Sequence, residues 1–280
     1  MTTDNINISF EFFPPRTDEG REKLKNVRAE LNKLGPEYFS CTYGAGGSTR
    51  DNTKGVVLEM KGEGYDIAPH LSFGSDSEET IQQLLSDYKD AGVNRLVALR
   101  GDLPSGMGAP KPIYAEQLVA FTREHFGDHF NIAVACYPEI HPQAPSYHQD
   151  IEFLKRKFDA GANYGITQYF YHADAYFYFA EECDKAGINQ PIYPGIMPIT
   201  NYHNLARFSD ACGADIPRWI RKGLESCGED KEAIKAFGLD VVTSLCEQLI
   251  DGGVPGFHFY TMNQVEPTRQ IIENLGLTEQ

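Results

Sequence analysis

Eight short runs rich in β-branched and aromatic residues recur along the chain: "INISFEFF", "YFSCTY", "IAPHLSF", "NRLVALR", "NIAVACY", "YGITQYF", "PIYPGIM" and "GFHFYTM". Each is followed by a segment with helical spacing or capping signals. This alternation constrains the fold most, because parallel strands joined by crossover helices leave few architectures open. In "DSEETIQQLLSDYKDAG", Ile81, Leu84, Leu85 and Tyr88 share one helical face, Asp76 or Ser77 opens the helix and Gly92 closes it. The runs "NRLVALR" and "NIAVACY" are almost continuously apolar, as strands covered on both faces are. Eight such units in 280 residues favour an α/β fold, a (β/α)8 TIM barrel, with an open doubly wound sheet as the alternative. A helical stretch from Pro217 to Asp251 reads as two helices inserted before the last strand. No linker or break in composition divides the chain, so residues 1–280 are expected to form a single domain.

Composition narrows the function. A content of 41% hydrophobic residues is enough for one large core. The formal charge of −15 argues against nucleic acid or an anionic membrane surface as partner, since both need clustered cations. No stretch is apolar for long enough to span a bilayer, and "MTTDNINISF" has no basic segment leading into an apolar run, so a soluble cytoplasmic protein is expected. Six cysteines are scattered without a CxxC pair, which fits reduced thiols. The eight histidines include no HExxH or other close ligand pair, so no metal site is expected. "GAGGSTRD" lacks both the GxGxxG spacing and a P-loop lysine, and reads as a barrel loop.

The stretch "SFEFFPPRT" sets one acid among phenylalanines. Alternation places Ile6, Ile8, Phe10 and Phe12 on one face of the strand and Asn7, Ser9, Glu11 and Phe13 on the other, and Pro14-Pro15 ends it. Glu11 therefore stands at the carboxyl end of strand one, the face where barrel active sites gather. An acid held among rings must turn to solvent, find a partner or stay partly protonated. The other strand ends are also polar: Thr42 and Tyr43; His70; Arg100 and Asp102; Tyr137, Glu139 and His141; Gln168; His258 and Tyr260. Singly, each has a structural explanation as a cap, a loop ion pair or a satisfied turn residue. Placed together on one rim, they mark a site. In "HQDIEFLKRKFDAG", Asp150, Phe153 and Lys157 share a face with Arg156 alongside; a solvated basic helix end complementing its own dipole is the competing explanation.

The segments "FEFFPPR", "TYGAGG", "APHL", "ALRGDLP", "YPEIHP", "KRKFDAGA", "ITQYF", "PGIMPITN" and "FHFYT" occur in the order and approximate spacing of the methylenetetrahydrofolate reductases. The chain resembles the short bacterial-type enzymes of that family from about Ile6 to its end. The resemblance implies a flavoprotein barrel in which NADH or NADPH reduces bound FAD and the hydride then passes to 5,10-methylenetetrahydrofolate, giving 5-methyltetrahydrofolate. It implies that Glu11 is the general acid, protonating a folate nitrogen so that the five-membered ring opens to an iminium, and aromatic surroundings favour the protonated acid needed for that step. Asp102 matches the aspartate beside flavin and pterin, where negative charge holds the developing cation.

The resemblance also places Thr42, Tyr43, Ala45, His70, Arg100, Gly101, Tyr114, Ala115, Tyr137, His141, Ala144, Asp150, Arg156 and Lys157 at flavin- or nucleotide-contacting positions, with Arg156 and Lys157 meeting the pyrophosphate. Gln168, Asn204, Phe208 and Gln264 fall at positions facing folate or nicotinamide. Three residues depart from the pattern: Phe153 stands where a polar amide is common, Gln264 where arginine is, and Asn204 where glutamine is. A homo-oligomer is expected. Two other readings stay open: a flavin-free pterin-binding methyltransferase on the same barrel, and a folate- or flavin-binding protein without catalysis.

Overall fold

The computed structural model describes residues 6–44, 50–74, 76–100 and 114–277. In chain order the elements are β1 (Asn7–Phe12), α1 (Asp18–Asn32), β2 (Tyr38–Cys41), α2 (Arg50–Gly62), β3 (Ile67–Leu71), α3 (Glu78–Asp90), β4 (Arg95–Ala98), α4 (Ala115–Phe126), β5 (Asn131–Cys136), α5 (Tyr147–Asp159), β6 (Tyr164–Thr167) and α6 (Ala173–Lys185). There follow β7 (Ile192–Tyr193), β8 (Gly195–Ile196), α7 (Tyr202–Cys212), α8 (Arg218–Cys227), α9 (Lys231–Asp251), β9 (Gly256–Tyr260) and α10 (Thr268–Asn274). All strand pairs are parallel, in the order β7-β6-β5-β4-β3-β2-β1-β9-β8.

The two ends of that order are consecutive in the chain. β7 pairs with β6 and β8 with β9, and only Pro194 lies between them. Proline has no N–H to give to a ladder, so it interrupts the strand, while its carbonyl still accepts a hydrogen bond from the His258 backbone N–H at 2.9 Å. Residues 192–196 thus act as one staved segment that changes partner midway, and the sheet closes as an eight-staved barrel. The closure requires glycine at 195. A Cβ there would lie 2.1 Å from Thr167 O and 2.7 Å from the Tyr260 ring, whose hydroxyl donates to that same carbonyl at 2.6 Å.

Strand alternation separates two cores. Phe10, Phe12, Phe39, Phe257 and Phe259 point outward beneath the helices, with Phe12 stacked on Phe39 at 5.3 Å. Inside the barrel, Tyr38, Ala68, Val97, Ala133, Tyr164 and Ile166 form a separate apolar cluster. Helix starts follow ordinary capping chemistry: Thr17, Ser77, Ser146, Asn201 and Asp230 each accept a backbone N–H from the first turn. Ser77 is thus the cap of α3, and Asp76 is left for other partners. The expected insertion is present as α8 and α9. Because α9 packs against both α6 and α10, it holds a place in the outer ring, and α7 and α8 are the added helices.

Candidate active site

Glu11 lies where alternation puts it, at the carboxyl end of β1 facing the barrel interior. The phenylalanines next to it in sequence do not surround it, which corrects the expectation of an aromatic pocket. Phe10 and Phe12 turn to the opposite face, and Phe13 is exposed. The actual neighbours come from distant strands. His70 Nε2 lies 3.3 Å and His258 Nε2 3.4 Å from Glu11 Oε2. Ser40 Oγ stands 3.2 Å from His70 Nε2, and Ser9 Oγ 2.7 Å from His258 Nδ1. The main chain is fixed as well: the Thr261 hydroxyl donates to Glu11 O at 2.7 Å, and Asn263 exchanges two hydrogen bonds with the backbone of Phe13.

Burial pushes His70 down to about 4, against the pull of Glu11 and with a smaller contribution from His258. His70 is therefore neutral at physiological pH, so its 3.3 Å approach to Glu11 is not an ion pair, and its side-chain hydrogen bond runs between Nε2 and Ser40 Oγ. The tautomer of His258 sets the direction of its contacts: with the proton on Nε2 the ring donates to Glu11 and accepts the Ser9 hydroxyl at Nδ1, and with the proton on Nδ1 it donates to Ser9, whose hydroxyl then bonds Phe257 O at 3.4 Å. Both imidazoles converge on Oε2, and among the described residues Oε1 has no hydrogen-bond partner. Tyr260 closes one side, its hydroxyl pushed well up by burial and, less, by Glu11.

A second group forms at the end of β5. Tyr137 and His141 meet edge to face at 4.5 Å, and Asp150 accepts the His141 backbone N–H at 2.8 Å. Between them Ile140 is held at φ 79°, a conformation a β-branched residue adopts only under constraint. Lys157 reaches under this loop and donates to Ala135 O at 2.7 Å. Burial lowers its ammonium from the ordinary value; Cys136, Asp150 and Glu116 oppose that, and Arg100 adds to it. Lys157 and Arg100 are thus like charges within each other's field. Burial raises Asp150, which the His141 N–H and Lys157 partly offset. Arg156 does not join them: it is exposed and lies over the Phe153 ring at 5.3 Å.

At the end of β2, the Thr42 N–H bonds Phe12 O, and the Tyr43 hydroxyl donates to Asp76, which also accepts from Arg50 at 2.8 Å. Gln168 is half-buried, its carbonyl oxygen accepting the Tyr169 N–H. Ala115 is buried at the start of α4, Tyr114 before it is exposed, and the Ala144 N–H closes the His141 turn. Phe208 is half-buried under Arg207, while Asn204 and Gln264 are exposed. Ala45, Gly101 and Asp102 lie outside the described residues. Among the described residues no cluster of His, Cys, Asp and Glu is arranged to hold a metal ion, and no helix is long and apolar enough to cross a membrane.

Sequence reasoning missed Ser9, Ser40, Thr261, Arg50 and Asp76, and took His258 only as a rim residue. The signal for three of them was present: Ser9, Ser40 and His258 are polar residues at inward positions of otherwise apolar strands.

The family model for methylenetetrahydrofolate reductase matches residues 1–276. The chain belongs to the methylenetetrahydrofolate reductase family. It is 40% identical over 273 residues to the 5,10-methylenetetrahydrofolate reductase of Escherichia coli strain K12, covering 97% of this chain and 91% of that one. It is 37% identical over 288 residues to methylenetetrahydrofolate reductase (NADH) 1 of Arabidopsis thaliana, covering 98% of this chain and 49% of the longer plant protein. Among solved structures, a Clostridium thermocellum protein described as binding two copies of 5-methyl-5,6,7,8-tetrahydrofolic acid superposes with a TM-score of 0.68 at 18% identity, over 98% of this chain and 93% of that one; this likeness concerns the fold. As a methylenetetrahydrofolate reductase the protein is an oxidoreductase of folate one-carbon metabolism, and its polar cluster occupies the barrel face where such chemistry takes place.

Proposed function

We propose that the chain works as one barrel unit that reduces 5,10-methylenetetrahydrofolate to 5-methyltetrahydrofolate with FAD as resident cofactor and NADH or NADPH as reductant. The observation that carries the proposal is Glu11: a carboxyl group at the strand end, its backbone carbonyl held by Thr261 and its Oε2 within 3.4 Å of two imidazoles. In this reading Oε1 gives its proton to a folate nitrogen. That N–H bond forms as the carbon–nitrogen bond of the five-membered ring breaks, leaving an iminium carbon as hydride acceptor. The His258 ring, within hydrogen-bond reach of Oε2, then stabilises the carboxylate that remains, so the acid is held in one place before and after transfer. Asp102 would supply negative charge to the cationic iminium.

The residues present fit FAD. Arg100 and Lys157 are like charges brought into each other's field at the ends of β4 and β5, an arrangement that an anionic group such as a pyrophosphate relieves. Those two residues would hold the phosphates, with Tyr137 and His141 presenting rings and Thr42, Tyr43 and His70 lining the face between. When bound, FAD would supply the two-electron chemistry, accepting a hydride from the nicotinamide and yielding one to the folate. Gln168 and Phe208 are placed as contacts to the rings that approach it. A flavin-free barrel would leave the Arg100–Lys157 pair without a role. The test is a titration of purified protein with FAD and FMN by absorbance and fluorescence: stoichiometric FAD binding, with FMN at least tenfold weaker, is expected, and failure to bind FAD overturns the proposal.

A further inference from the structure

The end of the barrel away from the candidate active site carries a recess of its own. A cavity of about 190 Å³ lies at the amino ends of the strands, with Tyr38, Arg95, Asn131, Asn163, Tyr164 and Tyr193 in its wall. Asn131 and Asn163 are exposed, so the cavity opens to solvent. Tyr38 and Tyr164 belong to the apolar cluster inside the barrel, which floors it. Tyr164 meets Tyr38 edge to face at 6.3 Å and Tyr193 at 5.6 Å, so much of the wall is aromatic. The space suits one small organic molecule, since a cavity of about 150 Å³ holds benzene.

The polar groups set among these rings are mostly donors. The Arg95 guanidinium lies over the Tyr38 ring at 4.7 Å, and its one hydrogen bond among the described residues runs to Glu37 at 2.8 Å. A guanidinium carries five N–H donors, so most of them are left unused. Asn163 Oδ1 accepts the Ile132 N–H and the Arg123 guanidinium, each at 2.7 Å. Both bonds fix which end of the amide is oxygen, and the Nδ2 donors have no partner among the described residues. Tyr164 is 5% exposed, and its hydroxyl is buried without a hydrogen-bond partner, Tyr38 and Arg95 standing near it outside bonding geometry. Stability alone favours phenylalanine at such a position, because a buried hydroxyl left unpaired is destabilising.

A surplus of donors calls for an acceptor-rich ligand, and an arginine fork matches a carboxylate. Glu37 beside that arginine limits the ligand to one negative group, since a second would meet its charge. The tyrosine rings take the apolar remainder. We propose that the amino-terminal mouth of the barrel binds a small organic monocarboxylate with a compact apolar body, its carboxylate held by Arg95, Asn163 and Tyr164. Binding there needs neither folate nor flavin, because the site lies at the opposite end of the strands from Glu11.

The test uses benzoate as probe on the purified full-length protein with FAD present, by calorimetry and ligand-observed NMR. Saturable binding with a Kd of about 1 mM or tighter is expected. Benzyl alcohol, which keeps the ring and loses the charge, is expected to bind at least tenfold more weakly, and inorganic phosphate not to displace benzoate at equal concentration. Tyr164→Phe is expected to weaken benzoate at least fivefold while its urea midpoint stays at or above that of wild type; a merely structural hydroxyl would lower the midpoint and leave binding alone. Asn163→Asp keeps the oxygen that Ile132 and Arg123 use and replaces the free donors by a negative oxygen, so binding is expected to fall at least tenfold. No saturable binding by wild type, binding unchanged in both variants, or displacement by phosphate as effective as by benzoate itself overturns the assignment; binding unchanged in both variants would mean that benzoate sits elsewhere on the protein.

Discussion

His70 ties stability to pH in a way that follows from its place between Glu11 and Ser40. Its folded-state pKa is about 4, set first by burial, against an ordinary value of 6.5. The folded value lies below the unfolded one, so as pH falls the unfolded chain takes up the proton first. The stability tied to a neutral His70 is therefore complete above about pH 7 and is lost progressively as pH falls from about 6.5 to about 4. The full difference of roughly 2.5 pKa units corresponds to about 3 kcal/mol, of which about 2 kcal/mol is already lost by pH 5. The perturbation is His70→Gln, which keeps a hydrogen-bonding group toward Ser40 but cannot titrate. Urea unfolding of wild type and variant at pH 8 and pH 5 gives two differences, and other titrating groups cancel between them. The wild type is expected to lose about 2 kcal/mol more than the variant over that interval. Equal losses refute the reasoning: His70 would then be as accessible to protons in the folded protein as in the unfolded chain.

Three other outcomes are expected. Lys157→Met weakens FAD binding by tenfold or more in a fluorescence titration, whereas Arg156→Met, on the exposed side over Phe153, changes it less than threefold; the reverse order counts against the Arg100–Lys157 assignment. Gly195→Ala forces a Cβ to 2.1 Å from Thr167 O where the barrel closes, so chemical denaturation is expected to show a loss of about 3 kcal/mol or more, or failure to fold. Asp150→Ala removes the acceptor of the His141 N–H beneath the strained Ile140 turn, and the turn is expected to become more open to limited proteolysis, with FAD retained less firmly.

The barrel was legible because two periodicities alternate eight times and the strands are apolar on both faces. Closure at Pro194 was not, because β7 and β8 are two residues each and no pattern in so short a run says that the partner changes. For Glu11 the sequence placed the residue and misjudged its surroundings. Pro14-Pro15 marks the strand end, but adjacent residues on a strand face opposite ways, so Phe10 and Phe12 are the side chains that cannot touch it. Its partners, His70 and His258, lie 59 and 247 residues away and are brought in only by strand order. For Arg156 and Lys157, helical spacing gave a shared neighbourhood; which of the two turns inward depends on α5 packing on β5, a tertiary fact. The resemblance to the family supplied what neither periodicity nor spacing holds, a chemical role for the rim residues.

The measurement that bears most directly on the account separates the two half-reactions in Glu11→Gln by stopped flow. Reduction of bound FAD by NADH or NADPH needs no proton on folate and is expected to stay within about threefold of wild type. Reoxidation by 5,10-methylenetetrahydrofolate needs the proton that Gln cannot give, and is expected to fall by a factor on the order of 10² to 10⁴. Reoxidation at the wild-type rate, or equal slowing of both steps, contradicts the claim that Glu11 is the acid.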